Sequence, residues 1–356
     1  MEIDLFCQKI KEHYESKLPF MVFAHPESNE ITAYLFTSKI NSRNDNFEQA
    51  GAILAPFDFA DNAYFLPIDQ TTTITTHVDL SSIHPMTEVP LNEDFLEKQA
   101  YEALVQKSIK TIQNTPLKKV VTSRKKEIDL PFLDLENVLK RLFSLYASVF
   151  TYCWYHPETD IWCGATPEIL VKKKDTSFAT MALAGTKKPQ NGMVVDWGHK
   201  EKNEQKYVVD AISKNLEKIT SVIKISKTYS HPAGTLVHLR TDIEGVIKKS
   251  RSSLKSIVNA LHPTPAICGT PKEVAKQFID NNEGYDREFY TGFVGIIRPE
   301  SETTSLYVNL RCMRLQPKKA TLYVGGGITE DSNPELEFIE TQNKMQTMLQ
   351  VLHPLL

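Results

Sequence analysis

Residues 20–23 (FMVF), 31–37 (ITAYLFT), 51–57 (GAILAPF) and 63–66 (AYFL) are short apolar and β-branched runs bounded by Asn, Asp, Pro and Ser clusters. Such runs predict strands separated by turns. From Asn92, an N-cap residue followed by Glu93 and Asp94, the pattern becomes helical and continues to about Asn114. Further helical patterns fall near 134–147, 198–224, 251–260, 271–280 and 334–352, with β-branched runs among them. Strands and helices come in groups rather than in strict alternation, which predicts an α+β fold over a doubly wound or barrel one. No repeat of fixed period interrupts this reading.

At 356 residues the chain exceeds the size at which one core usually stops growing. Two lobes, or one large domain with an intimate second layer, are expected. A hydrophobic content of 41% and a charged content of 24% are ordinary for a globular chain. Forty-one Lys and Arg against 44 Asp and Glu leave a net charge of -3, which gives the whole molecule no attraction for nucleic acid or an acidic membrane. The five cysteines, Cys7, Cys153, Cys163, Cys268 and Cys312, are scattered and odd in number, without a C-x-x-C pair. They read as reduced thiols, and with an acidic N-terminus and no long apolar run they predict a soluble cytosolic protein.

Tyr323-Val324-Gly325-Gly326-Gly327-Ile328 leads through Asn333 and Pro334, an N-cap and a first helical position, into a helix. Glu337, Glu340 and Lys344, spaced i, i+3, i+7, share one face of it. Leu336, Ile339, Met348, Leu349 and Leu352 are expected to form its buried stripe. Carboxylates and an ammonium beside glycines, where a ligand can approach the backbone, suit a cation and an anionic substrate held together. The ordinary reading is a surface Glu340–Lys344 pair and macrodipole carboxylates. Gly164-Ala165-Thr166-Pro167-Glu168 follows a hairpin turning at Pro157-Glu158-Thr159-Asp160, so Glu168 reads either as a partly buried acid or as an edge glutamate in solvent. In Lys118-Lys119-Val120-Val121-Thr122-Ser123-Arg124, alternation places Lys119, Val121 and Ser123 on one face and Lys118, Val120 and Thr122 on the other. One of the two lysines therefore points inward, where it can serve as a base. Lys200-Glu201-Lys202-Asn203-Glu204-Gln205 opens a helix on which Glu201 and Glu204 share a face. Arg311, in a strand context at Leu310-Arg311-Cys312, has the geometry to grip a carboxylate with two parallel hydrogen bonds.

Taken together and in this order, with Ala182-Leu183-Ala184-Gly185-Thr186, His262-Pro263-Thr264-Pro265-Ala266, Tyr285-Asp286-Arg287-Glu288 and Glu337-Phe338-Ile339-Glu340-Thr341, these segments resemble the chorismate-utilising enzymes. That family includes isochorismate, salicylate, anthranilate and aminodeoxychorismate synthases. The resemblance covers roughly residues 95–352. It makes 95–356 the chorismate-binding catalytic region and 1–94 a variable, strand-rich front of the same domain. It implies two packed β-sheets flanked by helices, with the site in a cleft between them.

The resemblance also implies roles. Glu204 and Glu340 match the glutamates that hold Mg²⁺, with Glu201 and Glu337 as second choices one turn away. Arg311 and Lys344 match groups near the substrate carboxylates, and Gly185, Thr186, Tyr290, Gly325 and Gly327 line the pocket. Lys119 matches the base that activates water for attack at C2, and Glu168 the acid that protonates the hydroxyl leaving C4. Anthranilate and aminodeoxychorismate synthases, which use ammonia, typically lack the lysine, and the latter resemble Pro-Ile-Lys-Gly-Thr where this chain has Ala-Leu-Ala-Gly-Thr. Water addition, that is isochorismate synthase activity, is therefore expected. Salicylate synthases carry the lysine, threonine at Ala266 and tyrosine at Tyr290, so one marker of two leaves pyruvate elimination as the alternative. A chorismate-binding partner without catalysis is a further one, which the presence of both Lys119 and Glu168 disfavours. A small-molecule substrate, Mg²⁺ and a monomer or weak homodimer complete the expectation.

Overall fold

A computed structural model describes residues 1–38, 47–59, 62–79, 83–92, 94–187, 195–233, 236–251, 253–299 and 301–356. Two antiparallel sheets, each of nine strands among the described residues, pack face to face. The first runs in the order Gly269–Thr270, Lys119–Asp129, Lys319–Ile328, Cys312–Gln316, Asp160–Thr166, Phe150–His156, Phe20–Ala24, Glu30–Phe36, Thr71–His77. The second runs Thr220–Ile225, Leu236–Ile247, Ser177–Lys187, Ile169–Lys174, Thr304–Val308, Phe293–Ile297, Gly51–Ala55, Tyr64–Pro67, with Tyr229–Ala233 also paired to Leu236–Ile247. Strands from the front of the chain thus enter both sheets: Phe20–Ala24 pairs with Phe150–His156, and Gly51–Ala55 with Phe293–Ile297.

One large core lies between the sheets, where Phe23, Trp154 and Trp162 of the first meet Leu54, Val294 and Tyr307 of the second. The Phe150 and Tyr307 rings stack across the interface at 4.0 Å. Burying side chains of this size contributes about 1.5–3 kcal/mol each, enough to join the two sheets into one body. On the outer face of the first sheet pack the helices Ile3–Glu15, Leu135–Leu145 and Pro334–Leu352. His199–Glu217 and Leu254–Leu261 cover the second.

The expected α+β architecture of two packed, helix-flanked sheets is the one observed. Four details differ. Helix Ile3–Glu15 was not expected; it buries Phe6, Cys7 and Ile10. The strand Thr71–His77 was also missed, because six of its seven residues are Thr or His, or alternate poorly in burial. The helical pattern over 198–224 divides into helix His199–Glu217 and strand Thr220–Ile225, whose β-branched residues pair with Leu236–Ile247. Helix Phe95–Asn114 is capped by Asp94, whose carboxylate accepts from the Leu96 N–H, and not by Asn92; Glu93 lies outside the described residues. Among the described residues no helix is long and apolar enough to cross a membrane. All five cysteines are buried and unpaired.

Candidate active site

Helix Pro334–Leu352 begins as its sequence dictates, with the Asn333 side chain accepting from the Leu336 N–H at 3.1 Å and Pro334 in the first turn. Its apolar stripe is not the expected one. Leu336 and Ile339 are exposed, at 65% and 42%, whereas Glu337 is buried and Glu340 is mostly covered. The stripe holds only further along, through Met345, Met348, Leu349 and Leu352. A helix that turns its carboxylates inward and its leucine outward places chemistry above packing at that end.

The carboxylates face the strand Lys319–Ile328, which pairs with Lys119–Asp129 so that Gly327 lies opposite Val121. Lys119 is the inward lysine: it is wholly buried, while Lys118 is exposed. Its Nζ lies 3.0 Å from Glu204 Oε1, an ion pair reaching across from helix His199–Glu217. Gly327 makes that approach possible, because a Cβ there would collide with Glu204 Oε1 and come within 2.9 Å of Lys119 Cε.

Glu168 is also inside, 2% exposed, which excludes an edge glutamate in solvent. It sits between the end of strand Asp160–Thr166 and the start of Ile169–Lys174, held where the sequence bends from one sheet into the other. Thr264 Oγ1 donates to its Oε1 at 3.2 Å. Burial raises its pKa to about 7, against the smaller opposing pull of Thr264, Lys119 and Lys344.

Arg311 does not lie within a strand. It occupies the left-handed region, φ 47°, immediately before Cys312–Gln316, and its carbonyl accepts from Ala165. Burial lowers its pKa to about 10, so it remains charged near neutral pH. Its side-chain contacts, to His238 Nε2 at 3.4 Å and Thr347 Oγ1 at 3.5 Å, are long, leaving donors for a carboxylate ligand. His238 Nδ1 donates to the Gly185 carbonyl at 3.0 Å, which leaves Nε2 to accept from Arg311. Burial and the charges of Arg311 and Lys344 hold this imidazole neutral, with a pKa near 3. Gly185 is the extra residue of a bulge between Ala184 and Thr186, and its φ of 67° suits only glycine at little cost. Lys344 donates to the Gly325 carbonyl and pairs with Glu340, both at 2.7 Å.

The charges balance locally. Burial would raise the Glu340 carboxyl, but Lys344 and Lys200 reverse this and hold it ionised. Glu337 is raised, by burial first and by the charge of Glu340, despite its contact with Lys200.

One cavity is lined by Glu168, Gly185, Thr186, Glu204 and Tyr290, together with Arg311, Gly325, Gly327, Glu340 and Lys344. Lys119 lies directly behind Gly327. Glu201 does not reach the cavity; it packs against Gly185 and Gly198 and lies 3.9 Å from Lys187. Glu337 turns to Lys200 instead. His238, Tyr323 and Lys200 were given no role by sequence reasoning, nor was Thr264. His238 is a lone histidine in a strand, with no local signal, while Lys200 and Thr264 fall inside segments noted only for their neighbours. Tyr323 also lines the cavity, stacked on Tyr290 at 5.7 Å.

Among the described residues no three or more His, Cys, Asp and Glu side chains form a closed metal cage. Two carboxylates opening on one cavity, Glu204 and the ionised Glu340, instead fit a hard cation that keeps water and takes ligand oxygens, as Mg²⁺ does.

Residues 60–353 match the chorismate binding enzyme family. Isochorismate synthase DhbC of Bacillus subtilis is 29% identical over 72% of this chain and 68% of its own. Isochorismate synthase EntC of Escherichia coli K12 is 30% identical over 72% of this chain and 67% of its own. In fold the chain is similar to a putative 2,3-dihydroxybenzoate-specific isochorismate synthase, DhbC from Bacillus anthracis, with a TM-score of 0.78, 24% identity, and coverage of 98% of this chain and 99% of that one. With its segments in family order, its two-sheet fold and its charged cavity, this chain belongs to the chorismate binding enzymes.

Proposed function

We propose that the protein is an isochorismate synthase that uses Mg²⁺ to add water at C2 of chorismate as the C4 hydroxyl departs. The observation that carries this reading is a buried, readily protonated glutamate lining the cavity where the chain passes between the sheets, with a buried lysine of the first sheet behind the Gly327 wall of the same cavity. Hydroxide is a poor leaving group and neutral water a poor nucleophile, so the reaction needs both a base and an acid. Lys119 takes a proton from the attacking water, and Glu168 gives one to the leaving hydroxyl, which departs as water. Arg311 and Lys344 orient the substrate's carboxylates. Glu204 and Glu340 would hold Mg²⁺, whose contribution when bound is to neutralise the ring carboxylate. Named isochorismate synthases among the relatives support the same reading.

Incubation of purified protein with chorismate and Mg²⁺, followed by chromatographic separation, should yield isochorismate. Salicylate with pyruvate would replace the proposal with the elimination reaction, and binding without turnover would replace it with a non-catalytic role. Undiminished turnover in excess chelator would remove Mg²⁺ from the scheme.

The pH profile offers a separate prediction. Glu168 acts only while protonated, and its pKa is raised to about 7, so kcat/KM should fall as pH rises through that value. Glu168→Gln should lose that limb and about 10²–10⁴-fold in rate. A wild-type profile with no falling limb, or a Gln variant that keeps it, would place the acid elsewhere.

A further inference from the structure

We propose that Glu337 is not a metal ligand but the tether of Lys200, holding its ammonium off Glu204 and Glu340 so that those two carboxylates stay open to the cation. The inference rests on the Mg²⁺ reading above. Lys200 and Glu204 stand one turn apart on helix His199–Glu217, and Glu337 and Glu340 one turn apart on Pro334–Leu352. The two turns meet over consecutive glycines: Glu337 Oε2 and Glu340 Oε1 flank Gly326, and Glu204 Oε1 lies against Gly327. Lys200 Nζ sits 2.6 Å from Glu337 Oε1, and its charged neighbours are Glu337, Glu340 and Glu204.

A lysine is a compact charge on a flexible four-carbon stem. Released from Glu337, it has Glu204 at i+4 on its own helix, and Glu340 beside Glu337, as replacement partners. An ammonium seated on either one competes with a divalent cation for the same charge, and in a partly buried site that competition is poorly screened. Glu337 is thus the third carboxylate that keeps the internal cation occupied. Among the described residues its Oε2 has no hydrogen-bond partner. That atom is the one through which Glu337 would bind metal if it were instead a ligand, so the two roles have to be separated by experiment.

A double-mutant cycle on the full chain does so, with Mg²⁺ dissociation constants measured by calorimetry without substrate. Glu337→Gln should weaken Mg²⁺ about tenfold, the factor that about 1.4 kcal/mol of lost differential charge produces. In the Lys200→Met background the same Glu337→Gln change should cost little, because no ammonium is left to release. Lys202→Met, which removes an exposed charge from the same helix, should leave the constant near wild type. If Glu337→Gln weakens Mg²⁺ equally in both backgrounds, Glu337 is a ligand and the tether is overturned. If the wild-type protein binds no Mg²⁺, the metal reading itself fails and takes the tether with it. Should Glu337→Gln alone not fold, Lys200→Met compared with the double variant carries the same decision.

Discussion

Lys119→Ala is expected to lower isochorismate formation by about 10²–10⁴-fold, the usual contribution of a positioned acid or base, while chorismate still binds. Binding should survive because Arg311 and Lys344, the carboxylate grips proposed above, come from other elements. Lys118→Ala, one residue away and exposed just before the strand begins, should be nearly silent. The pair is informative because total charge changes identically in both. The Lys119 variant should also lose stability in chelator, where Glu204 is left without its partner, and regain part of it with Mg²⁺. Thermal melts with and without metal, alongside single-turnover rates, would read both effects. Near-parental rates for Lys119→Ala combined with a dead Lys118→Ala would overturn the assignment of the base.

Glu283→Ala should cost about 3–5 kcal/mol of folding stability, the penalty for stranding a buried charge. The Glu283 and Arg287 side chains, 1% and 2% exposed, pair across the loop that follows helix Lys272–Asn282. Arg287 also donates to the carbonyls of Val121 and Ile267 and lies over the Phe57 ring at 4.7 Å. Glu283 accepts from both the N–H and the hydroxyl of Ser123. The pair therefore ties strand Lys119–Asp129 to the segment carrying Ala266 and Ile267, which line the cavity. Urea denaturation should show the loss in full. A change below about 1 kcal/mol would put the pair in the range of an exposed salt bridge and contradict its burial.

Local grammar was enough for much of the architecture. Asn333 and Pro334 mark the start of one helix, and Pro157–Asp160 turn one hairpin. Only Lys119 of the two lysines is inward, but not through the expected alternation: Lys118 precedes the strand, and Lys119 to Arg124 are buried on both faces. Helix Ile3–Glu15 lacks such a mark, since Glu2 makes no side-chain cap. Thr71–His77 is the last strand of the first sheet, paired among the described strands with Glu30–Phe36 alone, and just one of its residues is buried, so it has no apolar face on which a pattern could be seen. Lys218 and Ile219 end a helix without glycine or proline. The site was less legible because its pairs are remote: Lys119 meets Glu204, and Glu168 meets Thr264, across chain separations that no period links. Only resemblance joined those segments, and it said nothing of the Glu337–Lys200 contact or of His238 beneath Arg311.

The helix Pro334–Leu352 supplies Glu340 and Lys344 to a pocket whose other walls are encoded earlier. On a ribosome those walls are made first, so the strands and helices that carry Lys119, Glu168 and Glu204 can begin to pair before this helix is available. Until the helix is in place the cavity lacks Glu340 and Lys344, and the glycine strand that the helix faces stands open. Long-range strand pairing of this kind is slow and exposed to aggregation. The same helix covers the outer face of the first sheet, so the element that brings Glu340 and Lys344 to the cavity also shields strands whose exposure would invite misassembly.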